Sequence, residues 1–188
     1  MEAQKATLNQ LSAKNGLIIG TIIIVISLVI HFINPLLPYT NIWIQLGTFA
    51  ICIGLLVYSG RSIRNELGGY WSFGDAFKSF LIIALILTAF TTLYNILLMT
   101  VIDPGLPAKA AAAIEESQRT MMAKMGVSED QIDEALAKGG NMEEKLKITG
   151  KNIVTSFGVA LAIYGVIALI LAACLKKNAP LFKSSVEE

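Results

Sequence analysis

The sequence predicts an all-α protein, a four-transmembrane-helix bundle carrying a small helical extracytoplasmic cap between its third and fourth helices. Three observations predict it. Of the 188 residues, 54% are hydrophobic and 15% charged, with a mean hydropathy of +0.63, which is more apolar surface than a water-soluble domain of this size can cover. Four apolar segments, residues 16–33, 42–58, 80–102 and 153–175, contain no Asp, Glu, Lys or Arg. In hydrocarbon such a segment must satisfy its own backbone, so it folds as a helix; membrane strands would be about half as long and would alternate. The third observation is residues 103–152, which hold nine of the 14 acids and seven of the 15 Lys and Arg residues in a pattern of short helices.

At ~1.5 Å per residue, segments 80–102 and 153–175 cross a ~30 Å hydrocarbon core outright, and 16–33 and 42–58 cross it with their flanking turns. The whole chain, 1–188, reads as one membrane domain with 103–152 as an insertion. Lys5 and Lys14 precede the first span as in a signal peptide. No small-residue cleavage site follows it at His31-Phe32-Ile33-Asn34-Pro35, so it is expected to stay as an anchor. Asn34, Pro35 and Pro38 make an uncharged turn into the second span. Arg61, Arg64 and Lys78 lie between the second and third spans, and Lys176, Lys177 and Lys183 follow the fourth. Positive residues near helix ends are retained on the cytoplasmic side, so both termini are expected there.

The third helix is expected to start ahead of its apolar run. In Gly68 to Lys78, "GGYWSFGDAFK", Ser72 stands three residues before Asp75, the spacing of an N-cap. A helix over 73–102 would be ~45 Å long, more than the bilayer needs, so its first turns lie in the interface. Tyr70, Trp71, Phe73 and Phe77 suit the headgroup level, Lys78 snorkels to water, and Gly68-Gly69 lets the chain turn. Tyr70, Trp71, Ser72, Phe73, Asp75, Phe77 and Lys78 thus form an interfacial helix-start motif. Were it a binding site instead, Asp75 and Lys78, one turn apart, would be its polar contacts.

In the insertion, "DPGLP" breaks the third helix. From Ala108 a helical run places Ile114, Met121, Met122 and Met125 on one side and stops at Gly126. Ser128 with Gln131 fits a capping box for a second helix, with Ile132 and Leu136 inward and Gly139-Gly140 at its end.

Candidate chemistry is sparse. Thr88, Thr91, Thr92 and Asn95 form an intramembrane polar stripe on the third helix, suited to lining a pore or to bonding between helices. His31, the one histidine, sits near the outer end of the first span without a partner acid. Gly16, Gly20, Gly47, Gly54, Gly158, Ala162, Gly165 and Ala172 are small residues suited to close helix packing, within the chain or between chains. Met121, Met122 and Met125 offer thioethers to a soft ion, but no Cys or His stands near them in sequence, and an apolar helix face explains them better. Glu129, Asp130, Asp133 and Glu134 suit a helix start and lack a cation-loop pattern. Cys52 and Cys174 lie in separate spans and signal no disulfide. No nucleophile turn or phosphate loop is present. With a formal charge of +1, nothing points to nucleic acid.

The motif "GGYWSFGDAFK", the apolar helix after it, the Met- and acid-containing segment and the closing "YGVIALILAACLKKNAP" resemble the bacterial membrane proteins grouped as domain of unknown function 4199. The resemblance implies four membrane helices and a bacterial membrane. The family has no assigned activity, so it contributes no catalytic, cofactor or metal residues. The expectation is a non-enzymatic membrane component without cofactor, whose partners are the lipid bilayer and, through the cap, a second copy or another membrane protein. The alternative is a small transporter or channel using the polar stripe.

Overall fold

The computed structural model describes residues 2–178, with side chains from Thr7 onward. The side chain of Lys5, used in the signal-peptide comparison, and Lys183, used in the orientation argument, lie outside the described residues and side chains. The described residues are helical apart from turns and one isolated bridge. Among the described residues, four helices are long and apolar enough to cross a membrane.

Helix α1 spans Glu2–Ile33, starting well before the apolar run at Gly16. The run marks where hydrocarbon begins, whereas the helix continues through residues that favour it in water. Leu8 and Ser12 in this extension are buried, and the Ser12 hydroxyl donates to the Leu8 carbonyl at 2.7 Å. A short α2, Leu37–Thr40, follows, entered through a turn in which Asn34 Oδ1 accepts from the Leu36 N–H at 2.9 Å. Helix α3 spans Ile42–Glu66. Asn41 caps it, accepting from the Trp43 N–H at 2.9 Å, and it runs past Tyr58 to carry Arg61 and Arg64 on its last turns.

The reversal into α4 uses Gly68 at φ 89° and Gly69 at φ 84°, a region that side chains disfavour. Helix α4, Phe73–Leu97, begins at Ser72, whose Oγ accepts from the Asp75 N–H at 3.1 Å and donates to the Asp75 carboxylate at 2.7 Å. The helix then widens into a π-helical turn, Leu98–Ile102. Three cap helices follow, α5 (Leu106–Lys124), α6 (Glu129–Gly139) and α7 (Met142–Leu146). The last span is α8, Gly150–Leu175.

Helix α4 packs against both α1 and α8, and α3 leans on the group more sparingly. Small residues set these approaches. A Cβ on Gly16 would stand 3.1 Å from Ile86 Cβ, and one on Gly20 3.1 Å from a Phe90 ring carbon. On Gly60 it would come within 2.6 Å of Phe80 and 2.8 Å of Leu175, so any side chain there would have to displace the Phe80 ring tip and a Leu175 methyl for α3 to close on α4 and α8. Gly60 was not among the expected packing glycines. Gly47, Gly54, Gly158 and Gly165 were, yet each faces open space.

The buried residues of α3 all lie from Cys52 onward, whereas Trp43, in its first turn, is 77% exposed. The bundle is therefore shut at the end bearing the described termini and splayed toward the cap. The shut end is built from Leu8, Ile63, Trp71, Ala76, Phe80 and Leu175. Trp71 and Lys177 exchange backbone bonds there, N–H to O, at 2.7 and 2.9 Å. Arg64 Nη1 donates to the Leu175 carbonyl at 3.3 Å, satisfying a C-terminal carbonyl where the helix dipole favours a cation.

In the cap, Leu106, Pro107, Ala110 and Ala111 of α5 and Ile132 of α6 are buried. Arg119 pairs with Asp133 at 2.7 Å across the two helices. Ser128 occupies the N-cap position of α6 but makes no side-chain capping bond, so the expected capping box does not form; Glu129 and Asp130 in the first turn still suit the helix dipole. Gly126 and Gly140 both take positive φ at the helix ends.

Candidate functional site

The helix-start motif divides between surface and interior. Tyr70, Ser72, Phe73, Asp75 and Lys78 are exposed and Phe77 is half-buried. Trp71 is 2% exposed, with its ring centroid 5.6 Å from that of Phe80. Phe73 and Phe77 stack at 6.2 Å, as residues one turn apart on a helix can. Lys177 Nζ stands 5.7 Å over the Tyr70 ring. The motif thus closes one end of the bundle, its Trp plugging the core and its backbone tying α4 to the chain after α8.

The polar stripe is also divided. Thr88 is 1% exposed, and its hydroxyl has no hydrogen-bond partner. Thr91 Oγ1 donates to the Leu87 carbonyl at 2.9 Å, and Asn95 Nδ2 to the Thr91 carbonyl at 2.9 Å. Thr92 and Asn95 line a cavity.

That cavity, about 240 Å³, opens on the cap side between α2, α4, α7 and α8. Asn95 and Thr92 form one wall, Ser156 and Asn152 the facing wall, and Lys145 and Lys147 the rim. Ile96, Met99 and Ile153 add apolar surface to the lining. Met99 belongs to the π-turn, and such turns are frequent at functional sites. Asn152 places the rim. Its Nδ2 donates to the Glu144 carbonyl at 2.7 Å and to the Lys147 carbonyl at 2.9 Å, while Thr149 Oγ1 caps α8 by accepting from its N–H at 3.2 Å. Tyr39 closes the cavity from α2. Burial raises its phenol above the ordinary pKa, with the neighbouring Tyr94 adding to the effect, so at neutral pH it stays a neutral donor.

A second cavity, about 320 Å³, lies where α3 splays from α1 and α8. Ser27, Gln45, Thr48 and Tyr164 give it a few polar groups in an apolar lining, and Cys52 Sγ lies 3.8 Å from the Tyr164 hydroxyl. The two cavities share no lining residue.

His31 is half-buried at the end of α1, edge-on to Phe32 at 5.8 Å. Met121 and Met125 are each 64% exposed at the far end of α5, and Met122 is half-buried.

A family model described as a protein of unknown function, DUF4199, matches residues 14–177. The chain belongs to the DUF4199 family. The match runs from the end of the α1 extension through the Trp71–Lys177 bridge, so both sides of the closure fall within the matched region. No curated protein and no solved structure matches the chain.

Sequence reasoning missed α7, the lysine rim and both cavities. Nothing local in the sequence says that the Asn152 amide reaches back to α7.

Proposed function

We propose that this DUF4199 protein is a non-enzymatic interaction component of a bacterial inner membrane, with both termini in the cytoplasm and the cap outside, and that it works by contact through the cap. The observation that carries the reading is a folded cap with an uncovered apolar tip. One end of α5 is held by buried Leu106, Pro107, Ala110 and Ala111, while Met121 and Met125 at the other end stand free. Methionine is flexible and polarisable, which suits it to adaptable contact surfaces. The occupant is a second copy of the chain or another membrane protein. Arg61, Arg64, Lys78, Lys176 and Lys177 at the ends opposite the cap support the orientation.

Nothing in the arrangement favours transport, because Thr88 is enclosed, Thr91 and Asn95 bond their own helix, and the two cavities are separately lined. Photo-crosslinking residues placed at Met121 and Met125 in native membranes test the proposal, with exposed Gln131 on α6 as the control. Discrete protein adducts at the two methionine positions and none at Gln131 are expected. No protein adduct at either methionine position would overturn it. Solute flux in liposomes that is lost on Asn95→Leu would favour transport instead.

A further inference from the structure

We propose that the cap-side cavity between α2, α4, α7 and α8 holds the headgroup of an anionic phospholipid, its phosphate bound by Lys145 and Lys147 and its ester region hydrogen-bonded below them by Asn95, Thr92 and Ser156. The charge pattern is the first argument. The lining carries two lysines and no carboxylate, although nine of the chain's 14 acids lie in residues 103–152, around this cavity in sequence. Both lysines are exposed and lightly engaged. Lys147 meets Glu143 at 3.0 Å in a surface pair one turn apart, a kind of contact that contributes little and exchanges readily. Lys145 donates to the Gly139 carbonyl. A phosphate diester placed between them would meet two cations at the level where the spans leave hydrocarbon.

Depth is the second argument, and it selects a lipid over a soluble anion. Thr92 stands ten residues before the end of the π-turn at Ile102, ~15 Å along the helix axis, and Ser156 lies six residues into α8, ~9 Å. Above them, toward the rim, Ile96, Met99 and Ile153 make the cavity apolar. A free phosphate has no use for such a trench. A glycerophospholipid has an ester region below its phosphate that accepts hydrogen bonds, and acyl chains below that. At ~30 Å³ per water-sized volume, 240 Å³ accommodates a phosphate and part of its glycerol, leaving the chains along the helices.

This site also gives the polar stripe a use that packing does not. Asn95 Nδ2 is taken by the Thr91 carbonyl, and the amide oxygen and second N–H are not so committed. Asn152 positions the rim rather than binding, since its Nδ2 holds α7 to α8. The lipid site stands whether or not the cap meets a protein partner.

The test uses the full chain in phosphatidylcholine nanodiscs with and without phosphatidylglycerol, together with native mass spectrometry of the protein released from them. Phosphatidylglycerol is expected to raise the melting temperature and to be retained on the protein. In the Lys145→Gln/Lys147→Gln double variant retention should weaken about 30-fold, from the attraction that each lysine adds near a membrane surface, and the phosphatidylglycerol-dependent shift should vanish. Lys138→Gln, which removes a cap lysine paired with Glu134 outside this cavity, should keep both. Asn95→Leu should reduce retention with both lysines in place. Equal retention by the double variant and the wild type overturns the proposal. So does soluble glycerol phosphate producing the same stabilisation as the lipid.

Discussion

Trp71 and Ser72 are neighbours in the chain and differ in what they hold. Ser72 caps α4 at its exposed start, so Ser72→Ala should lower stability by ~1 kcal/mol. Trp71 fills the shut end of the bundle beside Phe80, so Trp71→Ala should cost ~3–5 kcal/mol, the range for emptying a large aromatic site. Thermal and denaturant unfolding in detergent would rank the two. A Trp71→Ala loss no larger than that of Ser72→Ala would mean that Trp71 is a surface anchor. The Ser72–Asp75 cap was legible because capping is local and its spacing stands in the sequence. The burial of Trp71 was not, because a Trp beside glycines and charges reads the same whether it faces lipid headgroups or a core closed by residues a hundred positions away.

Helix existence was legible, whereas helix ends and contacts were not. Lipid demands long uncharged runs, so four runs revealed four spans. The ends of those runs report the hydrocarbon edge, and α1 and α3 pass that edge until a turn or cap stops them. Small residues likewise announce that close packing is permitted without saying where it occurs. The contrast between Gly60 and Gly158 tests this. Gly60→Ala should destabilise by ~1–3 kcal/mol, since its Cβ would meet Phe80 and Leu175. Gly158→Ala, facing open space, should leave stability unchanged or raise it by up to ~1 kcal/mol through helix propensity. Detergent melting curves would show a loss for Gly60→Ala and none for Gly158→Ala; a loss at Gly158 would place a packing partner against α8. The cap-side cavity was illegible for a related reason, since its rim depends on α7, five residues folded back against α5 and bonded to the Asn152 amide.

For the whole molecule, the account requires two unlike ends, one shut by the Trp71–Lys177 bridge and one opened under the cap, with hydrocarbon between them. The four long helices and the family match over residues 14–177 fit a multi-pass membrane protein, and the proposed interaction and lipid sites both lie on the cap side. The most direct measurement is paired cysteine labelling in intact cells, in a Cys52→Ala/Cys174→Ala background. One cysteine replaces exposed Glu116 on α5 and the other replaces exposed Lys176 after α8. The account predicts that a membrane-impermeant reagent labels Glu116→Cys from outside and reaches Lys176→Cys only after permeabilisation. Labelling of both from the same side would contradict it.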